Sequence, residues 1–294
     1  MNKIKMSKAE IAFQIFNYIF MVCMIFIMLY PLWHVLMASI SDARLLSAHS
    51  GLLLHPEGFS LNAYRLMMKN PMIVRGYINT LIILVVGLSI NMFVTMTGAY
   101  GLSRKNVFWN KYISIFVIFT MYFSGGMIPT YINIKNLGLE NTLWAVILPV
   151  AVNTFNLIVM RTGFDAIPDS LEEAALIDGA GHLRILFVIM IPLAKATISV
   201  IALYYAVSHW NSWFNAMLYL TDRQLYPIQL ILREILIQND TSIMTMSVSA
   251  GDSSFVSETI KYAVIIVSVI PIICVYPFLQ KYFASGIMIG AVKG

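Results

Sequence analysis

The sequence predicts an all-α integral membrane protein with six transmembrane helices, and three observations lead there. Of its 294 residues, 59% are hydrophobic and 11% are charged, whereas a soluble domain carries about 25% charged residues. Mean hydropathy is +0.79. The apolar residues gather into six segments of a length suited to crossing a bilayer, and no stretch between them is long enough to fold as a soluble domain. The chain 1–294 therefore reads as a single transmembrane domain. The net charge of +5 comes from residues scattered near the ends of apolar segments, with no basic stripe, which argues against a nucleic-acid partner. Cys23 and Cys274 both lie inside apolar segments and read as packing residues, since neither metal spacing nor a disulfide framework surrounds them.

The first span, 11–40, follows Lys3, Lys5 and Lys8. It is longer than the about 15 apolar residues of a secretory signal and reads as an uncleaved anchor, with Pro31 predicted to kink it. Residues 41–74 are mixed, with a His55-Pro56-Glu57-Gly58 turn and an amphipathic patch around Tyr64, Leu66 and Met67, and are expected to form an external loop on the membrane surface. The second span, 78–101, carries Asn79, Asn91, Thr95 and Thr97, and Arg104, Lys105 and Lys111 follow it. The third, 112–127, is ended by Gly125-Gly126 and Pro129; the fourth, 143–160, contains Pro149, Asn153 and Asn156. After a loop at 161–190 comes the fifth span, 191–220. Between Thr221 and Glu258 the spacing of Ile228, Ile231, Leu232, Ile235 and Leu236 predicts one apolar helical stripe lying flat at an interface. The sixth span, 260–283, holds Pro271 and Pro277 and leads to a short tail, Lys281–Gly294. Eleven Lys and Arg fall on or next to the segments assigned inside and eight near the outer ones, which places both termini in the cytoplasm.

The loop at 161–190 contains the longest run of charge and turn residues between two apolar segments. Pro168 suits a helix entrance, and Ser170 with Glu173 has the Ser-x-x-Glu spacing of a capping box. Gly179 and Gly181 permit the left-handed backbone that closes a helix. Between them, Leu171, Ala174, Ala175 and Asp178 share one face. That face is nearly flat, with Glu172, Glu173 and Asp178 as charges for another surface to grip.

Glu173-Ala174-Ala175, followed by Asp178-Gly179-Ala180 and later Pro192, resembles the EAA signature of membrane subunits of ATP-binding-cassette (ABC) importers. One departure is Lys195-Ala196-Thr197 where a second proline often stands. Nearly the whole chain is similar to carbohydrate-uptake permeases of the maltose-transporter type, in the branch handling oligosaccharides derived from complex polysaccharides. The Ser124–Pro129 break, the Trp210-Asn211-x-Trp213-Phe214 patch and the Lys281–Gly294 ending support that. The resemblance implies a type I ABC importer permease fold in a bacterial plasma membrane, with Glu173, Ala174, Ala175, Asp178, Gly179 and Ala180 on a coupling helix that sits against an ATPase. It further implies a second homologous permease subunit, two ATPase subunits that bind ATP and Mg, and an extracellular solute-binding protein. The tail would reach between the ATPases, and the loop carrying Ser249, Gly251, Ser253 and Ser254 would enter the binding protein; the same composition also suits a plain connector.

The residues show no catalytic constellation. The five histidines lack metal spacing, no phosphate-cradling glycine loop precedes a Lys-Ser or Lys-Thr pair, and no carboxylate lies inside a span. The chain is thus expected to be a transport subunit that holds no cofactor and hydrolyses no ATP itself. An ion-coupled secondary carrier would need an intramembrane acid, and a membrane-embedded lipid or glycan enzyme would need clustered acids or histidines. The polar groups inside apolar segments, Asn91, Asn153, Asn156, His209, Asn211, Trp213 and Asn215, are candidates for lining a solute path, and without fixed countercharges an uncharged polar solute fits them best. The same groups also read as interhelical hydrogen bonds, each worth about 0.6 kcal/mol, and Trp210 and Trp213 as an aromatic belt.

Overall fold

The structure, a computed structural model, describes residues 7–237 and 253–291. Among the described residues it is helical throughout, with one isolated bridge, Ser41 to Phe59, and no strand. Contacts divide the chain into two compact units, one made of the residues up to Asn70 with Ile235–Val269, the other of Pro71–Glu234 with the chain from Ile270 onward.

In the first unit, α1 (Lys8–Ser39) begins at a capping box: Glu10 N donates to Ser7 Oγ (3.2 Å) and Ser7 N donates back to Glu10 Oε2 (2.7 Å). Pro31 lies inside this one helix. In its most apolar 18-residue window no residue is buried, so its side chains face lipid or another chain. Its last turn joins Leu53 in a small core with Tyr262 packed alongside. The expected loop at 41–74 contains two short helices, α2 (Ala43–Ala48) and α3 (Asn62–Met67). Leu66 and Met67 are buried. The patch around them is thus turned into the protein and not laid on a membrane surface.

The second unit is built on α4 (Pro71–Ser103), which starts earlier than the expected span because Pro71 suits the first turn of a helix. Ile83, Gly87, Asn91, Thr95 and Ala99 recur every four residues and form its buried stripe. Next, α5 (Asn110–Tyr122) and α6 (Met127–Asn136) meet at 112°, with Gly126 at φ 90° in the corner. The third span is therefore a helix and a sharp turn into another. α7 (Trp144–Ile147), with one 3₁₀ turn to Val150, meets α8 (Thr154–Asp165) at 49°. After the short α9 (Asp169–Ile177) come α10 (His182–Ile185), a π turn at Leu186–Met190 and α11 (Ile191–Leu193), which meet α12 (Lys195–Trp210) at 89°.

The expected continuous span 191–220 is thus broken twice, at Ala194 and again before α13 (Phe214–Tyr219). Pro192 explains the first break: it has no amide to give and crowds the preceding turn, which widens into the π turn. The apolar stripe of α14 (Ile228–Ile237) lies against the protein and not at a membrane interface. Ile228, Ile231, Leu232 and Ile235 are buried, and Leu236 stays partly exposed. Ile228 N donates to Thr80 Oγ1 of α4 (2.9 Å), and a Cβ on Gly76 would fall 2.5 Å from Ile231 Cδ1. Finally α15 (Ser253–Ala291) runs through Pro271 and Pro277, so the expected tail is helical up to Ala291. Among the described residues three helices are long and apolar enough to cross a membrane, and as many as six spans result if each bent pair counts as one.

The main core joins Ala99 and Tyr100 of α4, Leu157, Met160 and Phe164 of α8, Ile185, Leu186 and Met190, and Ile201 and Tyr205 of α12. Where α8 crosses α12, a Cβ on Gly163 would fall 2.8 Å from Thr197 Oγ1 and 2.9 Å from Thr197 Cγ2. Replacing Gly163 by Val is expected to destabilise the protein by about 1–3 kcal/mol through overpacking, and the added change Thr197→Gly to restore much of it, both read as thermal unfolding midpoints in detergent.

Candidate functional site

α9 is shaped at both ends. Pro168, with extended backbone, is its N-cap, so Ser170 falls inside the first turn and the expected capping box with Glu173 does not form. The other end closes as the glycine predicts. Gly179 has φ +80°, its amide donates to Leu176 O (3.0 Å) and that of Ala180 to Ala175 O (2.9 Å), the paired bonds of a Schellman motif. Gly181, by contrast, is extended and caps α10. Leu171, Glu173, Ala174 and Asp178 are exposed, Ala180 is half-buried, and Ala175 packs into the core. Ala175 therefore anchors the helix instead of widening its flat outer face.

Glu172, expected among the outward charges, turns inward. Its carboxylate pairs with Arg104 and accepts from the Tyr100 hydroxyl (3.1 Å), while His182 Nδ1 lies 3.0 Å from that same hydroxyl. One turn earlier, Lys105 Nζ donates to Asp169 Oδ2 at 2.5 Å. That hydrogen bond and its charge pull the Asp169 carboxyl below the usual range and raise Lys105 above it. The pair is accordingly intact at neutral pH. It is lost only as pH falls through the lowered Asp169 value or rises through the raised Lys105 value.

At the far end of α12, a cavity of about 210 Å³ is lined by Ser208, His209, Asn211, Trp213, Asn215 and neighbours. Four of the seven candidate path residues thus share one cavity. Asn91, Asn153 and Asn156 do not line it but hold its surroundings. Asn91 Nδ2 donates to Val150 O (2.6 Å) and Ala151 O (2.9 Å), the carbonyls freed where α7 gives way to α8. Its Oδ1 lies 2.5 Å from His209 Nε2, so that nitrogen carries the proton. The imidazole fits there because α4 has no side chain at Gly87, where a Cβ would fall 2.6 Å from His209 Nε2. Asn153 caps α8 by accepting from Asn156 N (3.1 Å), and its own amide donates to the Tyr205 hydroxyl (2.9 Å), which also meets Thr95 Oγ1 at 2.8 Å. Asn211 donates to Val207 O (3.0 Å). The guanidinium of Arg233 stands 4.9 Å over the Trp213 ring, a cation–π contact.

Sequence reasoning passed over Tyr205, Gly87 and the inward role of Glu172. The signal for the first two was present: Gly87, Asn91 and Thr95 are spaced by four, as are Tyr205 and His209, so the two helices present matching polar rows. Of the residues expected to meet a binding protein, Ser249 and Gly251 lie outside the described residues, and Ser253 and Ser254 open α15.

A family model described as "Binding-protein-dependent transport system inner membrane component" matches residues 73–289. The chain belongs to this family. The EAA motif at Glu173-Ala174-Ala175 is a family feature, and membership makes the chain the membrane subunit of a transporter that works with binding-protein and ATPase partners, the ATPases using the ATP. The membrane component is 42% identical over 282 residues (96% of this chain, 98% of the relative) to the polygalacturonan/rhamnogalacturonan transport system permease protein YtcP of Bacillus subtilis (strain 168). It is 39% identical over 288 residues (98% and 97%) to Protein LplC of the same organism. Among solved structures, a chain of a bacterial ABC transporter involved in the import of the acidic polysaccharide alginate matches with a TM-score of 0.88 at 31% identity, covering 96% of this chain and 100% of that one.

Asn91→Leu would strip two half-buried carbonyls and the buried His209 of their partner. Each unsatisfied group costs about 1–3 kcal/mol, so the variant is expected to unfold well below the wild type in a detergent melt, with secondary structure intact at low temperature by circular dichroism.

Proposed function

We propose that this chain is one of two related permease subunits that together import an oligosaccharide released from an acidic polysaccharide, by alternating access, with both termini in the cytoplasm. Two ATPase subunits drive it through α9, and an extracellular solute-binding protein delivers the sugar. The observation that supports the coupling role best is the division of α9 into an inward edge of Ala175 and Glu172 and an outward edge of Leu171, Glu173, Ala174 and Asp178. The outward edge is short, rigidly capped and free for a partner's groove. The substrate class is supported by the amides and indole around the cavity, which suit hydroxyls and the flat face of a sugar ring, and by the polygalacturonan/rhamnogalacturonan named for one relative and the acidic polysaccharide alginate named for a solved structure. The countercharge that the spans lack stands beside that cavity as Arg233, held over Trp213.

Reconstitution with the ATPases and binding protein in proteoliposomes tests the reading. Uptake is expected to survive an uncoupler and to stop when ATP is depleted; the reverse would favour an ion-coupled carrier. Glu173→Lys is expected to leave the subunit inserted while abolishing ATPase co-purification or sugar-stimulated ATP turnover. Asn211→Leu is expected to lower uptake with the complex assembled, and Arg233→Gln to lower uptake of carboxylated oligosaccharides more than of their methyl esters, read with radiolabelled sugars.

A further inference from the structure

α9 is fastened to the rest of its unit chiefly at the end of α4. Two acidic residues of its first turn and a half meet two consecutive basic residues there, Glu172 with Arg104 and Asp169 with Lys105. The pairs differ in setting. Lys105 and Asp169 are exposed, whereas the side chains of Arg104 and Glu172 each retain only 12% of their exposure. Arg104 is also held on its own side: Nε and Nη2 donate to Ser103 Oγ (3.0 and 2.9 Å), and its guanidinium stands 4.9 Å over the Tyr100 ring. A shielded, multiply bonded ion pair is directional and stiff, and solvent screens it little.

From that joint, α4 runs back without a break to Asn91, about 20 Å away at 1.5 Å per residue. The other chain route from α9 to the cavity passes a π turn and an 89° bend before α12 begins. It is the softer of the two. At Asn91, α4 grips both the α7–α8 break and His209 in the cavity wall.

We propose that Glu172 and Arg104 are the positioning pair through which displacement of α9 is passed to α4, and that α4 acts as the rod carrying it to Asn91 and the His209 wall of the cavity. This rests on the reading of α9 as the helix that meets an ATPase, and it assigns the neighbouring carboxylates separate tasks: Glu173 faces the partner, and Glu172 grips the chain's own helix.

The test uses the complete complex in proteoliposomes with its binding protein. Glu172→Gln and Arg104→Gln are expected to keep the ATPases bound and ATP hydrolysis running, while sugar imported per ATP falls about threefold or more. The exchange of charges, Glu172→Arg with Arg104→Glu, is expected to recover much of that ratio, and Tyr100→Phe, which removes the hydroxyl's contacts with Glu172 and His182 and leaves the ion pair, to lower it mildly. Wild-type import per ATP in both single variants, or an exchange no better than either single change when all assemble, would overturn the proposal and leave the α9 reading standing. If Glu173→Lys still binds the ATPases and couples normally, the α9 reading fails and this inference falls with it. If the single variants do not assemble, the exchange of charges decides: assembled but with the ratio still lowered about threefold or more, it overturns the pair's role.

Discussion

A broken helix among apolar side chains exposes carbonyls to surroundings that offer no water, and the side-chain amide of Asn91 is the group that makes such a break tolerable here. One residue donates to two carbonyls and accepts from an imidazole, so α4, the α7–α8 corner and α12 are tied at a single point. The tie also explains Gly87, since the imidazole occupies the volume a larger side chain would need. One turn further, Thr95, Tyr205 and the amide of Asn153 repeat the arrangement. Such polar rows give a membrane-embedded bundle the register that apolar packing alone would leave loose.

Around α9 the requirement is different. A nine-residue helix with an exposed outer edge has little apolar surface to hold it. Its place is fixed by Ala175 in the core, by the shielded Glu172–Arg104 pair and by the Schellman closure at Gly179. Two of these contacts act on its inward edge and the third at its C-terminal end. The flat outer edge that suits a partner and the fastened inner edge are alternate positions of one short sequence.

Much of this was legible in the residues. The apolar segments and the glycine that ends α9 follow from composition and backbone freedom, and the family from the resemblance of Glu173-Ala174-Ala175 and its downstream residues to the EAA signature. What stayed hidden has physical causes. Ser-x-x-Glu occurs twice, at Ser7–Glu10 and Ser170–Glu173, and only the first forms a cap, because Pro168 takes the N-cap position and moves Ser170 inside the helix. The α14 stripe has the periodicity of an interfacial helix, and periodicity does not say whether lipid or Gly76 and Thr80 will receive it. The break at Ala194 falls within an apolar run that hydropathy joins into one, whereas the one at Gly126 is marked by its paired glycines. Glu172 and Glu173 are chemically identical neighbours, and only the position of Arg104, 68 residues earlier, separates their directions.

α1 stands apart from all of this, since along its most apolar window it meets none of its own chain's interior. A surface of that kind is constrained by solubility in oil and hardly at all by shape. Exchanges among Leu, Ile, Phe and Met from Phe13 to Met28 would then be nearly silent within this chain, and the permissible drift of that segment over generations would be set by the lipids of the host membrane or by whatever other helix comes to rest on it.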